Sequence, residues 1–373
     1  MKKIENIKNC YGCGVCAATC KHDVIDLSKN EDGFFQPVIK NPNACVGCGL
    51  CESVCAYINP CEYRKPIESY ACWSLDDSVR EKSTSGGVCF EISRHMLSSG
   101  YKICGVKYNT NKNRAEHDIA TNIEELLNFQ GSKYLQSFTL DAFRRLSRTD
   151  NNVVIGTPCQ IASLRKYVEK FKCSENYVFI DFFCHGVPSY LLWEKYLNEH
   201  KKSLGKINSV SWRSKEKGWR SSYCITIDGS DGQYKSWKGS DEFFSFFLGD
   251  ACLNKACYGN CKFKYDKSCA DIRIGDFWGS LYRNESQGVN AVIVLTTKGR
   301  DILNGTPNLK LTIHSFEEAT QGQSQANASK PVYYSISNAI LRHNSYHLRK
   351  LGQIIEYKKM IESYLYRIKN TLK

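Results

Sequence analysis

Eight cysteines near the start of the chain fall into two runs with the same spacing. Both runs read C-x2-C-x2-C-x3-C. Three thiolates at this spacing bind one 4Fe-4S cluster, and the fourth thiolate of each run reaches the neighbouring cluster once the chain has folded back. The predicted ligand sets are Cys10, Cys13, Cys16 and Cys55 for the first cluster and Cys45, Cys48, Cys51 and Cys20 for the second.

Two other uses of these cysteines, a zinc module and a set of disulfides, fit the spacing less well. Zinc sites favour two separated C-x2-4-C pairs rather than a run of three, and disulfides require an oxidising compartment. Gly12 and Gly14 in the first run, like Gly47 and Gly49 in the second, allow backbone amides to turn toward the sulfurs. The doubled run therefore predicts an α+β dicluster ferredoxin-type domain over residues 1–62.

Four further cysteines indicate a third cluster in the rest of the chain. Cys159 and Cys184 follow two successive predicted strands, so their side chains could meet at one edge of a sheet. A C-x3-C pair lies further on, at Cys257 and Cys261, with Cys252 and Cys269 nearby as competing ligands. The remaining cysteines are interpreted as buried thiols, and Cys61 as a structural residue; the thiols are Cys72, Cys89, Cys104, Cys173 and Cys224.

Composition and charge bound the class of protein. A chain of 373 residues with 42% hydrophobic residues suggests two or three domains with a sizeable core. The formal charge of +13 lies almost entirely beyond residue 62, on a surface that could hold a nucleotide, an anionic substrate, an acidic partner or a membrane face, or be simply solvated. No nucleic-acid module, signal peptide or membrane-spanning run is visible, so we expect a cytoplasmic protein.

Strand and helix patterns alternate after the first domain and predict an α/β body with a mixed or mostly parallel sheet over residues 63–315. The predicted strands are Phe34–Ile39, Ser69–Ser74, Ile103–Tyr108, Val153–Ile155, Tyr177–Phe183, Ser209–Arg213, Ser222–Ile227, Ile272–Gly275 and Ala291–Leu295. The predicted helices include one ending at Met96, Leu140–Ser147, Gln160–Lys170 and Leu191–Glu199. A helical extension over residues 316–373 completes the chain, with an amphipathic helix at Leu351–Ile368.

Loops of small residues recur at the predicted strand ends: Ser85–Gly87, Gly131–Tyr134, Gly156–Gln160 and Cys184–Gly186. Helix N-termini at such positions favour phosphates, and Lys133 adds a positive charge for a pyrophosphate. Each loop alone is also typical of caps and turns. Four of them at the same relative position indicate a cofactor site, where His185 either donates a proton or hydrogen-bonds a strand end.

A basic and aromatic stretch provides a candidate substrate lip. It consists of Arg213, Lys215, Lys217 and Arg220, with Trp212 and Trp219 between them. Such a stretch suits an anionic organic substrate. It is equally typical of an exposed basic hairpin, and the sequence leaves both interpretations open.

Five segments, in matching order, resemble the coenzyme F420 hydrogenase/dehydrogenase beta-subunit family. They are SGGV at Ser85–Val88, GSKY at Gly131–Tyr134, GTPCQ at Gly156–Gln160, DFFCHGVPS at Asp181–Ser189 and DIRIGDFWG at Asp271–Gly279. The resemblance runs from about residue 69 to past residue 279, and the family's bacterial branch often carries an N-terminal dicluster ferredoxin.

The resemblance implies an α/β fold that binds FAD beside a 4Fe-4S cluster. The implied cluster ligands are Cys159, Cys184, Cys257 and Cys261. The implied flavin-site residues are Ser85, Gly86, Gly87, Ser132, Lys133, Gly156, Thr157, Pro158 and Gln160. The family's last cysteine pair is usually C-x2-C, and the C-x3-C found here keeps Cys269 as a substitute ligand.

The expected function is that of an iron–sulfur flavoprotein oxidoreductase. Electrons from a ferredoxin-like donor would pass through the clusters to FAD, which would reduce a small organic substrate. An anionic substrate would suit the basic stretch. Some relatives are encoded with polysaccharide-assembly enzymes, which suggests a surface-polysaccharide pathway. Two alternatives stay open: an electron-transfer subunit that docks a partner through its basic C-terminal helix, and a scaffolding module that has lost its flavin.

Overall fold

The computed structural model describes residue 4, residues 6–343, residues 347–349 and residue 352. Its first part contains two short helices, α1 (Val15–Thr19) and α2 (Leu50–Ser53). Between them lies an antiparallel hairpin of β1 (Ile25–Lys29) and β2 (Phe35–Ile39), in a register that pairs the first residue of β1 with the last of β2. Each helix begins directly after a glycine of a cysteine run. Along the chain, the hairpin follows the first run and precedes the second.

The body is built on an eight-stranded mixed sheet. In spatial order its strands are β13 (Leu309–His314), β3 (Glu68–Ser74), β12 (Asn290–Val294), β11 (Ile272–Asp276), β7 (Tyr177–Phe182), β6 (Asn152–Ile155), β4 (Lys102–Asn109) and β5 (Arg114–Ala120). The four central strands β4, β6, β7 and β11 run parallel, and the outer pairings are antiparallel. The prediction of a mixed sheet is confirmed.

Helices cover both faces of this sheet. In chain order the helices of the body are α3 (Asp77–Lys82), α4 (Val88–Ser98), α5 (Ile123–Leu127), α6 (Leu140–Arg145), α7 (Pro158–Lys170), α8 (Tyr190–Leu204), α9 (Glu242–Phe247) and α10 (Thr297–Gly305). Of these, α8 and α9 pack on each other, and α8 contacts the second sheet described below. Val153 of β6 belongs to the core on the α4 side, whereas Val154 belongs to the core on the α7 side. Successive strand side chains point to opposite faces, so the apolar run of β6 is buried in both directions.

A second, three-stranded antiparallel sheet lies beside the main one. Its order is β10 (Gln233–Trp237), β9 (Tyr223–Gly229) and β8 (Ile207–Arg213). The sequence predicted β8 and β9 within the body, but it did not separate them from the main sheet. Which strands pair with one another depends on segments that are distant in the chain. The periodicity of a single strand does not reveal its partners.

The cysteine-rich first part packs into the body instead of standing apart from it. Ala17, Leu27 and Phe35 share one buried core with Tyr190 and Trp193 of α8. Phe35 is edge-on to the ring of Tyr190, with their centroids 5.3 Å apart. The boundary at residue 62 therefore separates segments of sequence that share a hydrophobic core.

The end of the described chain contains two short helices, α11 (Phe316–Thr320) and α12 (Tyr334–Arg342). The predicted amphipathic helix at Leu351–Ile368 falls outside the described residues. Across the residues that are described, no helix combines the length and the apolar character needed to cross a membrane.

Candidate iron–sulfur sites

The two cysteine runs repeat each other's local geometry. Gly12 and Gly14 have φ values of +66° and +75°, and Gly47 and Gly49 have +71° and +70°. Gly14 immediately precedes α1 just as Gly49 precedes α2. The N–H of Gly12 already points at a sulfur, donating to Cys10 Sγ at 3.3 Å. This left-handed backbone, which favours glycine, is what presents amide hydrogens to thiolate ligands.

The first predicted ligand set lies together in the interior. Burial, together with the neighbouring thiols of Cys13 and Cys55, raises the pKa of Cys10 to about 12. Burial also raises the pKa of Cys16, with additional contributions from Cys13, Cys10 and Cys55. The fold thus brings the last cysteine of the second run to the first three cysteines of the first run.

The second predicted set lies at the surface. Cys45 and Cys48 are exposed, and Cys20 and Cys51 are half-buried. Burial raises the pKa of Cys51, and Cys20 is close enough to add a small further rise. Val46 between the two exposed cysteines is 64% exposed. Any group held here would lie within reach of another protein.

The four cysteines of the body also converge. Burial, together with the neighbouring thiols of Cys184 and Cys261, raises the pKa of Cys257 to about 12. Burial also raises the pKa of Cys159, which the neighbouring thiols of Cys184 and Cys257 raise further. Cys159 lies in the first turn of α7, after β6, and Cys184 lies just beyond β7. Because β6 and β7 are parallel neighbours, both cysteines lie at the same edge of the sheet.

A buried cation adjoins this body set. Lys264 is 8% exposed, and its Nζ donates to the backbone oxygens of Cys184 at 2.6 Å and His185 at 2.8 Å. Burial raises the pKa of Cys184, while the positive charge of Lys264 acts in the opposite direction. A nearby cation favours the thiolate form that a metal ligand must take. Nothing in the local sequence singled out Lys264 among the other lysines of this loop.

Helix α7 joins the body set to the first set. The side chains of Cys159 and Ser163 lie on the same face of the helix, one turn apart. Ser163 Oγ accepts a hydrogen bond from the Cys13 thiol at 3.3 Å and another from the Ala56 N–H at 3.3 Å. Cys13 is also close enough to Cys159 to raise the pKa of that thiol, after burial and the Cys184 contribution.

The first turn of α7 is fixed by a capping box. Thr157 N–H donates to Gln160 Oε1 at 2.9 Å, and Gln160 Nε2 donates to Ser137 Oγ at 3.0 Å. Thr157 Oγ1 lies 3.2 Å from Cys159 Sγ. The GTPCQ segment therefore sets the position of a cysteine, and the positive end of the helix dipole favours a thiolate there.

Two rival cysteines are placed elsewhere. Cys269 is bonded to Cys61, with their Cα atoms 6.6 Å apart; its role as a substitute ligand stays a prediction. Cys252 is buried in the core that contains Tyr258 and Tyr334. The interpretation of Cys61 as a structural residue stays a prediction.

The residues expected around a flavin lie in two places. Ser85 Oγ donates to Val289 O at 2.9 Å, and Ser132 N–H donates to Thr84 Oγ1 at 2.8 Å, so the first two loops touch each other. Burial lowers the pKa of Lys133 to about 7, and its Nζ donates to the backbone oxygen of Gln130 at 2.8 Å. A side chain on Gly86 would collide with the Cys72 carbonyl, and Gly87 precedes α4 with a φ of +84°. Gly156, Thr157, Pro158 and Gln160 lie instead at the start of α7.

The segment 131–139 runs from the first of these places to the cysteine-rich part. Gln136 is buried, and it accepts from Phe35 N–H at 2.7 Å and donates to the backbone oxygens of Phe35 at 3.1 Å and Tyr11 at 3.3 Å. Thr139 Oγ1 donates to Cys13 O at 3.0 Å. These contacts hold the first cluster set against the body. Sequence analysis missed Gln136, since a lone glutamine in a loop carries no signal.

The basic and aromatic stretch is not an exposed hairpin. Trp212, Trp219 and Arg213 are buried, and Arg213 Nη1 donates to Tyr134 OH at 3.0 Å. The ring of Trp219 is stacked on Trp278, with a centroid separation of 5.3 Å and an interplanar angle of 2°. A cavity of about 500 Å³ opens beside these rings; its walls are formed by Arg220, Ser221, Tyr223, Trp237, Lys238, Gly239, Trp278 and Gly322.

His185 is engaged with its neighbours. Its Nε2 lies 2.9 Å from Asp250 Oδ1 and 3.3 Å from the backbone oxygen of Phe247. Both partners lie at the end of α9 or just beyond it, so neither contact is with a strand end, and both predicted roles of His185 stay predictions.

The donor chemistry of the three sets fits iron–sulfur clusters. Each set offers four thiols, and at least one also offers an N–H directed at a sulfur. Among the described residues no three histidine, cysteine or acidic side chains surround a point where a single metal ion would sit.

Comparisons with known proteins agree with this arrangement. Residues 9–58 match the family described as "4Fe-4S dicluster domain". Residues 69–144 match the N-terminal part of the family described as coenzyme F420 hydrogenase/dehydrogenase, beta subunit, and residues 149–319 match its C-terminal part. No protein of curated function matches.

Among the solved structures that are similar, one example has low identity. A chain from the F420-reducing [NiFe] hydrogenase complex from Methanosarcina barkeri, studied by xenon derivatization, is 13% identical. The alignment covers 76% of this chain and 91% of that chain, with a TM-score of 0.49.

Proposed function

Because the chain belongs to the coenzyme F420 hydrogenase/dehydrogenase beta-subunit family and carries a dicluster domain, we propose that it is an electron-transfer subunit with three 4Fe-4S sites. The surface set of Cys20, Cys45, Cys48 and Cys51 exchanges electrons with a redox partner protein. From there, electrons pass to the set of Cys10, Cys13, Cys16 and Cys55. They then reach the body set of Cys159, Cys184, Cys257 and Cys261, which is the last site of the path. A bound cluster accepts and releases one electron at a time.

One observation carries this proposal: helix α7 touches two of the sets. Cys159 belongs to the body set, and Ser163 one turn later is hydrogen-bonded to Cys13 of the first set. Segments that are 150 residues apart in sequence are thereby held in direct contact. A fold that only stored clusters would have no need to place two sets on one helix face.

The chain's own side chains assist the body set in two ways. Lys264 supplies positive charge beside Cys184 and Cys257. Thr157 and Gln160 fix the first turn of α7 and hence the position of Cys159. Both favour the thiolate form and a fixed ligand geometry. The division into a dicluster part at residues 1–62, a body at 63–315 and a helical extension at 316–373, with a cytoplasmic location, belongs to the same proposal.

A second candidate function adds a flavin and an organic substrate. The cavity of about 500 Å³, with Tyr223, Trp237 and Trp278 in its walls beside Arg220 and Lys238, favours a flat ring that carries negative charge. A flavin exchanges single electrons with iron–sulfur centres and pairs of electrons with organic molecules. Reduction of an anionic substrate, including a surface-polysaccharide precursor, belongs to this candidate.

Iron, sulfide and flavin measured on anaerobically purified protein test both candidates. We expect about twelve iron atoms per chain for three clusters. Replacement Cys159→Ala or Cys257→Ala should remove about four of them. The control Cys72→Ala, a buried thiol of β3, should remove none. About eight iron atoms in the unaltered protein would leave the body set without a cluster and refute the proposed path.

The flavin candidate has its own result. The second candidate predicts that the unaltered protein releases FAD on denaturation. It also predicts that the variant Trp278→Ala has lost this FAD, whereas the surface variant Leu281→Ala has kept it. Three clusters without any flavin would leave the electron-transfer subunit alone.

A further inference from the structure

A disulfide joins the segment after the cysteine runs to the segment before β11. Cys61 and Cys269 are bonded across a sequence separation of 208 residues. Cys61 is 5% exposed and Cys269 is completely buried. No step of the proposed electron path uses either sulfur.

The bond lies against the body cluster set. Cys61 and Cys269 share a buried cluster of side chains with Tyr11, Ala56 and Ala162, and Cys159 and Cys261 pack against that cluster. Ala162 comes from α7, between Cys159 and Ser163. The disulfide therefore touches the same helix that joins the two interior cluster sets.

Hydrogen bonds other than the disulfide hold the two segments together near the cysteines. Arg64 N–H donates to Ser268 O at 2.7 Å, directly beside the pair. Arg165 Nε donates to Cys269 O at 3.1 Å, and Arg165 Nη2 is also paired with Asp271 at 3.1 Å. The Cα separation of 6.6 Å falls inside the usual disulfide range of roughly 4.4–6.8 Å. The two segments therefore keep contacts that do not depend on the sulfur–sulfur bond.

We propose that Cys61 and Cys269 form a two-electron redox centre that exchanges electrons with the iron–sulfur sites. The proposal rests on the proposed function, since those sites supply the electrons. In a reducing compartment a disulfide is usually catalytic or redox-sensing rather than a passive brace. The position of this one, beside two proposed ligands, identifies its electron donor by class as a one-electron iron–sulfur centre.

The reaction balances with that donor alone. The sulfur–sulfur bond breaks as the pair gains two electrons, delivered one at a time, and two protons from water, giving two thiols. Oxidation reverses each transfer. A thiol protein from outside is an unsuitable reductant, because thiol–disulfide exchange requires direct access to a sulfur and both sulfurs are buried.

Electron counting on the anaerobic holoprotein tests the proposal. Dithionite serves as the titrant, and the double variant Cys61→Ala/Cys269→Ala is compared with the wild type. The wild type should take up two electrons more than the variant at equal iron content. The control double variant Cys72→Ala/Cys104→Ala removes two buried, unbonded thiols of the main sheet and should take up as many electrons as the wild type.

Differential alkylation with mass spectrometry gives a second readout on the wild type, which needs no variant to fold. Cys61 and Cys269 should be labelled after denaturation only in protein that was first reduced. Labelling of both in oxidised protein, or equal electron uptake with and without the pair, would overturn the proposal. Loss of about four iron atoms in the double variant would also overturn it, because the two sulfurs would then be ligands.

Different results would contradict the proposed function and the proposed disulfide centre. A wild type without the body cluster contradicts the proposed function. A wild type with about twelve iron atoms and no extra two-electron uptake contradicts only the disulfide centre. In Cys159→Ala, which should lack the body cluster, reduction of the pair by dithionite should become slower, whereas in Cys72→Ala it should not change.

Discussion

Ser163 Oγ lies 3.3 Å from Cys13 Sγ, although the two residues are 150 positions apart. As a thiol, Cys13 donates to Ser163; as a thiolate ligand, it would accept the Ser163 hydroxyl hydrogen instead. The contact can therefore persist when the cysteine becomes a ligand. It links the first cluster set to the helix that begins with Cys159, so its removal should be detectable at the cluster.

Replacement Ser163→Ala should make the first cluster harder to reduce. A hydrogen bond to a ligand sulfur stabilises the additional negative charge of the reduced cluster. Loss of a bond with a net contribution of about 0.5–1.5 kcal/mol should lower the potential by about 20–60 mV. Potentiometric titration followed by electron paramagnetic resonance measures the shift. Ser93→Ala, a buried serine of α4 bonded to the Cys89 carbonyl, should leave every potential unchanged.

Replacement Lys264→Met should affect the body cluster selectively. The variant removes a buried positive charge beside Cys184 and Cys257, so the reduction potential should fall by about 100 mV. Lys298→Met is the matched control, since Lys298 Nζ also donates to backbone oxygens, including Glu175 O at 2.9 Å. Both variants should lose stability. Equal potentials in the two variants would contradict an electrostatic role for Lys264.

Replacement Gln136→Leu should loosen the cysteine-rich part from the body. It leaves the buried N–H of Phe35 and the buried carbonyl of Tyr11 without their present partner, which should reduce the free energy of unfolding by about 2–4 kcal/mol. Urea unfolding measures the loss, and proteolysis of the segment after residue 62 should accelerate. Gln36→Leu, which removes only a half-buried contact to Asn30 within the hairpin, should change the free energy of unfolding by no more than about 1 kcal/mol.

Stability should fall in mild acid because of His117. Burial lowers the pKa of His117 to about 4, and its Nε2 lies 3.1 Å from the Ile155 carbonyl. The unfolded chain binds this proton at about pH 6.5. The stabilisation is therefore complete above about pH 6.5 and decreases by about 3 kcal/mol as the pH falls to about 4.

The variant His117→Gln isolates this effect, because glutamine can still donate to the Ile155 carbonyl but does not titrate. Its free energy of unfolding should lose about 2 kcal/mol less than that of the wild type between about pH 7.5 and pH 5. Ser189→Ala removes a buried hydrogen bond to the Asp32 carbonyl without removing a titrating group. It should lower stability equally at both pH values. An unchanged pH dependence in His117→Gln would exclude His117 as the source.

Local spacing and periodicity identified a large part of this protein. The two cysteine runs, the glycines between them and the apolar strands Val153–Ile155 and Ala291–Leu295 are visible in sequence because each depends on residues within one turn or one strand. The alternation of strands and helices predicted the mixed sheet for the same reason. The resemblance to the family also came from short ordered segments, such as GTPCQ at Gly156–Gln160.

Tertiary structure decided which distant residues meet. Ser163 with Cys13, Lys264 with Cys184 and Cys61 with Cys269 are separated by at least 80 positions, and no periodic pattern encodes such pairs. Arg213 and Trp212, which a linear pattern makes look like an exposed lip, end strand β8 of the separate sheet. They are buried because Trp212 packs against Tyr108 and Trp193, and Arg213 is hydrogen-bonded to Tyr134. Sequence alone determined which thiols were available to bind metal. Only the packing of α7 against the cysteine-rich segment determined that two sets of thiols meet at one face of this helix. Packing depends on the shapes of surfaces that are built from remote parts of the chain.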